Sequence, residues 1–461
     1  MKQAGRRVGS SEAPLDQAER RVGSGEASLD QAGRRGVSSE APLNQAGRRG
    51  VSSEASLDQA GRRGVVALNG HFLAHPATGS GQYVSHLIGA AERLGADLSL
   101  RPFISDHTTR PQPPAFRTQP TVAPSPAATA TRRLPNDLRK VIWEQLTFPL
   151  AARRTKADCL HVPYFGSPII TQGIPTVVTI HDLIPLVMPA YVTTPLVALY
   201  NRLVSAGARA ATLVLADSEA SRRDIVRLLG IAPERVRTIY LGVDPHLGLP
   251  VSTHVREAVR GKYRLPERFL LYLGGFDVRK NLTGLVDAVA SLDPSTGVHL
   301  VIAGRVPHPG RRPNLFPDIR RKVIDAGLQG TVHFPGFIDE EDKAALMQLA
   351  TAFVFPSTYE GFGLDPLEAL QAGTPVVCAN RTSLPELMGE AAIMFDPDTP
   401  GELATILGRI WRDEGLRNDL AIRGPRQAAR FTWEDCARLT FDAYRAAIDA
   451  HKPRSVSGRA P

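Results

Sequence analysis

The feature that most constrains the fold is the stretch from Ala352 to Val377, AFVFPSTYEGFGLDPLEALQAGTPVV. It begins as an apolar run, breaks into a loop with two glycines, continues with helical periodicity and ends in a second run rich in β-branched residues. This order predicts a strand, a loop, a helix and a second strand. Similar alternation continues along the chain, which predicts doubly wound α/β sheets.

The loop and the helix of this stretch carry residues suited to binding an anion. Gly361 and Gly363 let the backbone approach a ligand at a helix N-terminus, where free N–H groups and the helix dipole favour a diphosphate. Glu360 lies in the loop, and Glu368, eight positions later, can accept hydrogen bonds from a vicinal diol such as a ribose. Spacing alone is equally consistent with ordinary solvated glutamates.

Length and composition predict two domains with an appendage. The chain has 461 residues, 43% of them hydrophobic. Its three cysteines, Cys159, Cys378 and Cys436, have no metal-ligand spacing and cannot form a disulfide framework, which fits a reducing cytoplasm. No window of about 18 apolar residues is free of proline or charge, and the N-terminus lacks the apolar core of a signal peptide. We therefore expect a cytoplasmic protein without a transmembrane helix.

The first 64 residues repeat a 14-residue unit of the form QAGRRGVSSEAPLD. The units carry too few apolar side chains to stack into a core, so residues 1–64 are predicted to be disordered. With 11 basic and 8 acidic side chains, they contribute +3 of the overall charge of +9. The Arg-Arg pairs suggest a tether for nucleic acid or a membrane. Because acids balance them and no aromatic residues are interleaved, we favour a solvated tail and predict no nucleic-acid partner.

Residues 65–250 form the first predicted domain. VVALN predicts its first strand, followed by a glycine-containing loop and a helix over Gln82–Leu94. TVVTIHDLIPL predicts a buried strand that delivers His181 at its carboxyl end, where ligands collect in such sheets. A core-edge histidine bonded to backbone is the alternative. Ser105–Leu134 is rich in proline, threonine and alanine and predicts a long mobile loop or an irregular insertion.

Residues 251–430 form the second predicted domain. After the strand FLLYLGG, Arg279 and Lys280 lie just before a helix, where they can neutralise a diphosphate, although such pairs are usually plain surface. TVHFPGFIDEEDKAAL predicts a strand, a turn and a helix capped by Asp339. Residues 431–450 predict an amphipathic helix that crosses back onto the first domain, and residues 451–461 a tail.

Taken jointly, these strings resemble the retaining, nucleotide-sugar-dependent glycosyltransferases of family 4, over residues 65–450. EGFGLDPLE carries their Glu-x7-Glu signature at Glu360 and Glu368, and HDLIPL is similar to the string around the histidine of many family mannosyltransferases. The chain departs from the family pattern twice. Asp365 stands where the family often has proline, and Gly275 where many relatives have arginine.

The resemblance implies a GT-B fold, with two Rossmann-like doubly wound domains facing a cleft. It implies transfer of a sugar, with retention, from a nucleotide sugar to a hydroxyl acceptor in polysaccharide or glycolipid synthesis. GDP-mannose is favoured by family analogy alone. The expected acceptor is a glycan or a lipid-linked glycan, with a peripheral contact at the inner membrane face. We expect no cofactor and no metal. The Asp-x-Asp spacing of Asp396 and Asp398 follows a strand in a proline turn, where the family has an FDP string, so we do not interpret it as a metal site.

The resemblance also implies roles for individual residues. Glu360 and His181 are the catalytic candidates, because they would position the sugar. Glu368 would hold the ribose, and Lys280 would stabilise the departing diphosphate beside a second cation, either Arg279 or Arg305. The other implied donor contacts are the amide of Gly81, the base-bordering residues Phe337 and Ile338, and the glycine-loop residues Gly361, Phe362, Gly363 and Leu364.

Three alternatives stay open. A GT-B enzyme that epimerises or hydrolyses nucleotide sugars would release free sugar or an isomerised nucleotide sugar. A nucleic-acid-binding protein would lose binding on deletion of residues 1–64. A catalytically silent nucleotide-sugar-binding protein is the third, and the intact pair of glutamates argues against it.

Overall fold

The computed structural model describes residues 64–76, 78–95, 97–105, 121–123, 135–307 and 312–452. Two parallel sheets organise this part of the chain, one of seven strands in the order β3-β2-β1-β4-β5-β6-β7 and one of six in the order β10-β9-β8-β11-β12-β13. The strands are β1 (Gly64–Asn69), β2 (Leu98–Ser105), β3 (Thr121–Ala123), β4 (Cys159–Val162), β5 (Thr176–Ile180), β6 (Leu213–Ala216), β7 (Val236–Thr238), β8 (Leu270–Leu273), β9 (Leu300–Ala303), β10 (Val332–Gly336), β11 (Ala352–Phe355), β12 (Val376–Ala379) and β13 (Ala392–Phe395).

Helices connect the strands and cover the sheets. They are α1 (Gly79–Leu94), α2 (Asn136–Ile142), α3 (Phe148–Arg154), α4 (Ile184–Val187), α5 (Pro195–Ala210), α6 (Glu219–Leu229), α7 (Thr253–Tyr263), α8 (Leu282–Ala290), α9 (Ile319–Asp325), α10 (Lys343–Leu349), α11 (Leu364–Gln371), α12 (Leu384–Met388), α13 (Glu402–Arg412), α14 (Glu414–Ala428) and α15 (Trp433–His451). A π-helical turn, Trp143–Thr147, joins α2 to α3.

The central strands are buried because they are apolar on both faces. Every residue of β11 and β12 is buried, as expected for parallel strands with helices on both sides. Both sheets reverse their strand order in the middle, the first between β1 and β4 and the second between β8 and β11. Loops diverge at such a reversal and leave a crevice at the carboxyl ends of the strands, so the fold predicts one ligand crevice for each sheet.

The closing helix α15 lies against the first sheet, where it contacts α1, β4 and β5. The hydroxyl of Tyr444 is 2.7 Å from Nδ1 of His161 on β4. The indole of Trp433 stacks on the imidazole of His86, with ring centroids 4.5 Å apart. None of the helices in these described segments has the length and hydrophobicity needed to cross a bilayer.

Local predictions differ from the structure in three places. Helix α1 begins at Gly79 rather than Gln82, because the Thr78 hydroxyl accepts a hydrogen bond from the N–H of Gly81 and so caps the earlier turn. The cap predicted at Asp339 was wrong: a 3₁₀ turn follows it, and its carboxylate binds Lys262 instead.

The third difference concerns Ser105–Leu134, which was predicted to be a mobile loop or an irregular insertion. Thr121–Ala123 within it forms a strand paired in parallel with β2, so the loop prediction was wrong for these residues. The predicted disordered arm, apart from Gly64 in β1, and the tail from residue 453 onward lie outside the described residues.

Candidate active site

A cleft of about 890 Å³ lies where the carboxyl ends of the two sheets face each other. Its walls come from the loop after β1, the ends of β5 and β6, the loops after β8, β9 and β10, and the glycine loop after β11. The sequence-predicted site residues that line it are His181, Arg279, Phe337, Ile338, Glu360, Gly361, Phe362, Gly363 and Leu364. A second cavity of about 700 Å³, on the outer side of β10, contains none of them.

Glu360 is bound by two cations and a hydroxyl. Its Oε1 accepts hydrogen bonds from Nζ of Lys280 at 2.6 Å, from Oγ of Ser357 at 2.7 Å, and from the guanidinium of Arg279. The cations follow β8 and the glutamate follows β11, and these strands are neighbours at the strand-order reversal of the second sheet. The fold therefore brings together groups that are 80 residues apart in the sequence.

The second cation at the glutamate is Arg279. Its Nε is 3.1 Å from the carboxylate of Asp277, and this second ion pair fixes the orientation of the guanidinium. Arg305, the other candidate, lies over the ring of Phe337 at 5.5 Å, further along the cleft. The sequence left Arg279 and Arg305 as candidates for the cation beside Lys280, and the structure places Arg279 there.

The charge of Glu360 follows from these contacts. Burial by itself would raise its pKa, but Lys280 and Arg279 outweigh burial and lower the pKa to about 2. The side chain is therefore a carboxylate at every physiological pH and cannot donate a proton. Its Oε2 has no hydrogen-bond donor within the described part of the chain, which leaves this oxygen able to accept hydrogen bonds from a ligand in the cleft.

His181 lies between two hydrogen-bond acceptors. Its Nδ1 is 2.7 Å from Oδ2 of Asp217, and its Nε2 is 3.1 Å from the carbonyl oxygen of Pro163. Only the doubly protonated ring can donate to both. Burial by itself would lower the pKa of His181, but Asp217 outweighs it and the pKa lies above its ordinary value. The two acceptors and the raised pKa together favour the protonated, positively charged ring.

Asp217 is a site residue that the sequence analysis missed. It follows β6, the neighbour of β5, so the parallel pairing brings its carboxylate next to His181. The only signal was its position directly after an apolar run, in TLVLADSE.

The glycine at 361 is required by a contact between the two halves of the cleft. A Cβ placed on Gly361 would lie 1.8 Å from the carbonyl oxygen of His181. The carbonyl oxygen of Gly361 accepts hydrogen bonds from Oγ of Ser218 at 2.6 Å and from Oγ of Ser221 at 3.0 Å. The sequence suggested that Gly361 lets the backbone approach a ligand. In the structure, this glycine instead lets the loop approach the backbone of His181 in the other half of the cleft.

The comparisons with known proteins agree with this geometry. Residues 77–247 match the family described as Glycosyltransferase Family 4, and residues 255–427 match the family described as Glycosyl transferases group 1. The O-antigen chain mannosyltransferase B of Escherichia coli is 32% identical over 299 residues, which are 64% of this chain and 76% of that protein. The chain belongs to the GT-B glycosyltransferases of family 4.

Two further comparisons, one of sequence and one of structure, show how far the similarity of this glycosyltransferase extends. The serotype-specific mannosyltransferase WbdA of Escherichia coli is 30% identical over 274 residues, or 58% of this chain, which spans only 33% of WbdA. The structure of Anabaena HepE in complex with UDP and glucose superposes with a TM-score of 0.62 at 19% identity, over 84% of this chain and all of that one. The second likeness shows the fold and confirms the predicted GT-B architecture.

The N-terminus of α11 lies in the cleft of the glycosyltransferase. Gly363 precedes the helix with φ of 120°, a conformation that other residues rarely adopt, and Leu364 begins it. Both line the cleft, as does Asp365 in the first turn. The first-turn N–H groups have no partners inside the helix, so this end is able to bind an anion.

Glu368 is separated from the main cleft by a lysine. It forms an ion pair with Lys343, and both side chains are at least nine-tenths buried. Burial, only partly offset by Lys343, raises the pKa of Glu368. Glu368 borders a small adjoining cavity, whereas Lys343 lines the main cleft. The role of Glu368 at the ribose stays a prediction. No sequence signal marked Lys343.

Lys280 and Gly81 also lie behind the cleft surface. The ammonium of Lys280 lies 4.5 Å from the ring centroid of Phe355 and reaches the site through Glu360. Gly81 is buried in the first turn of α1, while its neighbours Gly79 and Ser80 line the cleft. A contact between the Gly81 amide and a donor phosphate stays a prediction.

The Asp-x-Asp string is used in ion pairs. Arg381 contacts Asp396 at 2.5 Å and Asp398 at 2.6 Å. Across the segments that the structure describes, no group of three or more histidine, cysteine, aspartate or glutamate residues is arranged to hold a metal ion.

The raised pKa of His181 predicts a specific pH dependence of stability. A group whose pKa is higher in the folded state contributes its full stabilisation below the ordinary pKa of about 6.5 and loses it as pH rises through the folded value. We expect the unfolding free energy of the wild type to fall as pH rises over this range. In His181→Gln, the part of this decrease that comes from deprotonation of His181 should be absent. Urea unfolding at a series of pH values from 6 to 9 measures it. His254→Gln, at an exposed histidine, should keep the wild-type dependence of unfolding free energy on pH. If His181→Gln showed the same decrease as the wild type, His181 would not be its source.

Proposed function

We propose that this glycosyltransferase moves a sugar from a nucleoside diphosphate sugar to a hydroxyl acceptor, with retention of the anomeric configuration and without a metal ion. The observation that supports the proposal is the group formed by Glu360, Arg279 and Lys280 in a cleft that also contains a free helix N-terminus. A diphosphate needs cations and N–H donors, and the sugar needs hydrogen-bond acceptors beside it.

In the proposed reaction, the bond from the anomeric carbon to the diphosphate breaks and a bond to the acceptor oxygen forms. The hydroxyl proton of the acceptor passes to the departing phosphate oxygen. Arg279, Lys280 and the N–H groups at the start of α11 stabilise the charge that develops on the diphosphate. Protonated His181, paired with Asp217, adds a further positive group at the cleft wall.

Glu360 acts in this proposal as a hydrogen-bond acceptor for the sugar and not as a nucleophile. A carboxylate with three donors on one oxygen and a pKa of about 2 is weakly basic, and weak bases are poor nucleophiles. Retention is therefore assigned to attack on the same face that the diphosphate leaves, with no covalent intermediate on Glu360.

The donor that we propose is GDP-mannose. Two relatives at 30 to 32% identity are named as mannosyltransferases, whereas HepE, crystallised with UDP and glucose, is 19% identical. The higher identity favours mannose, and the apolar side chains of Phe337 and Ile338 can pack against any base. We propose a glycan or lipid-linked acceptor and a peripheral contact with the inner membrane face by analogy with the family.

Nucleotide binding tests the proposal. The Tm of the full chain is measured with UDP, GDP, ADP and their sugars, with and without EDTA. We expect GDP and GDP-mannose to stabilise the protein, by about 2.7 kcal/mol at a hundred times Kd, and EDTA to have no effect. Arg279→Gln should lose the stabilisation, whereas Arg321→Gln, at a surface ion pair, should keep it.

Other outcomes would contradict parts of the proposal. If no nucleotide stabilises the folded protein, the nucleotide-sugar donor is wrong. If stabilisation disappears with EDTA, the donor site needs a metal ion. If free sugar accumulates at an undiminished rate without acceptor, the protein is a hydrolase of nucleotide sugars.

A further inference from the structure

Another carboxylate besides Glu360 lies in the same cleft and faces the glycine loop. Asp182 follows His181 at the end of β5, and its side chain lines the cleft. Its Oδ1 accepts a hydrogen bond from the N–H of Ile184 at 3.0 Å, which fixes the carboxylate at the start of α4. Within the described ranges, its Oδ2 has no hydrogen-bond donor. One oxygen is therefore anchored by the protein and the other is open.

The surroundings of Asp182 place it at the catalytic group. Its Cβ is 2.9 Å from the point where a Cβ of Gly361 would stand, so it touches the glycine loop of the opposite half. Burial, together with Glu360, raises the pKa of Asp182 above its ordinary value, and Arg279 and His181 only partly offset this rise. Asp182 therefore interacts with charged groups from both cleft walls.

Asp182 and Glu360 have the same arrangement on opposite walls. Each has one oxygen held by protein donors and a second oxygen to which no group in the described residues donates. An aspartate side chain accepts hydrogen bonds through its open oxygen and, in its ionised form, repels anions. A diphosphate is therefore disfavoured next to Asp182, whereas a neutral group rich in hydroxyls is favoured there. In a nucleotide sugar, the group with that chemistry near the diphosphate is the sugar.

We propose that the open oxygen of Asp182 accepts a hydrogen bond from a hydroxyl of the transferred sugar and thereby helps select the sugar. This inference rests on the proposed nucleotide-sugar-dependent function and names a specificity-determining contact for it. Asp182 and Glu360 would then hold the sugar from two sides while the cations hold the diphosphate.

The test compares ligands with and without the sugar. Asp182→Asn keeps an oxygen for the N–H of Ile184 but removes the negative charge. Calorimetric titrations without acceptor measure Kd for GDP and GDP-mannose, and for UDP and UDP-glucose, in the wild type and the variant. We expect the variant to bind the nucleotide sugar at least about 10-fold more weakly, because hydrogen bonds to charged groups contribute about 1.5–3 kcal/mol. The nucleoside diphosphate should bind equally well or more tightly, because a repelling charge is gone.

Opposite shifts for the two ligands separate this role from a structural one. A distorted loop would weaken both ligands by the same factor, and that result would overturn the inference, as would unchanged affinity for the nucleotide sugar. Asp325→Asn, at a surface ion pair, should leave both affinities unchanged. If the wild type itself binds no nucleotide sugar, the proposed function and this inference both fail.

Donor analogues identify the hydroxyl. In a series of GDP-mannose analogues that each lack one hydroxyl, the ratio of wild-type to Asp182→Asn affinity should fall to about one for a single analogue and stay high for the others. A ratio that stays high for every analogue, or a variant that changes only the KM of the acceptor, would place Asp182 at the acceptor and overturn the sugar contact.

Discussion

Replacing Glu360 with glutamine is expected to lower kcat by about 10²–10³-fold, the size of effect seen when one aligned polar group is removed from a transition-state site. The amide cannot hold Lys280 and Arg279 as a carboxylate does, and it is a weaker acceptor for the sugar. Binding of the nucleoside diphosphate should change much less or strengthen, because the cations are released from a competing anion. Steady-state kinetics combined with titration of GDP separate the two effects.

The variant also needs a stability measurement. Removing one partner of a buried ion pair costs about 3–5 kcal/mol, so part of the loss of activity could come from unfolding. Denaturant unfolding gives the folded fraction under assay conditions, and kcat is then expressed per folded molecule. Glu341→Gln, at an exposed glutamate, serves as the matched control and should keep wild-type activity. A folded Glu360→Gln enzyme with wild-type kcat would show that this glutamate has no part in the reaction.

Substituting Gly361 with alanine should cost stability and activity together. The added methyl would stand 1.8 Å from the carbonyl oxygen of His181, and backbone cannot move aside as a flexible side chain does. Overpacking of this kind costs about 1–3 kcal/mol, and we expect the upper end of that range. Relief of the clash would separate the glycine loop from Ser218 and Ser221 and displace Glu360 from His181, so activity should fall by at least about 100-fold, since small misplacements have effects of that size.

A second glycine provides the control. A Cβ at Gly330 would meet no atom within 4 Å, and its φ lies outside the left-handed region, so Gly330→Ala should have wild-type Tm and activity. Thermal unfolding and the transfer assay, run on both variants, complete the comparison. If Gly361→Ala matched Gly330→Ala in both measurements, the contact between the glycine loop and the backbone of His181 would not be needed for the working enzyme.

Much of the fold followed from local patterns. Short runs rich in apolar and β-branched residues, next to a glycine or proline, predicted β5, β8 and β11, because parallel strands covered on both faces are largely apolar. The short strand β3 was missed since its three residues lie among prolines and have no such pattern. The cap at Asp339 failed because Lys262, 77 residues away in sequence, binds its carboxylate.

The site, too, has features that local sequence patterns predicted and features that only the fold decided. The sequence by itself placed His181, Arg279, Lys280 and Glu360 at or just after the carboxyl ends of strands, because strand periodicity and strand ends are local properties. Which of those ends meet was decided by the tertiary structure. The order β8-β11 brings Lys280 to Glu360, and the order β5-β6 brings Asp217 to His181.

The charge states were also a tertiary result. A lowered pKa at Glu360 and a raised one at His181 depend on which charges lie within a few ångströms in a buried site, and those partners are 80 and 36 residues away along the chain. Gly361 illustrates the same limit. The sequence shows a glycine there, but only the contact between the glycine loop and the end of β5 showed that it makes room for the backbone of His181.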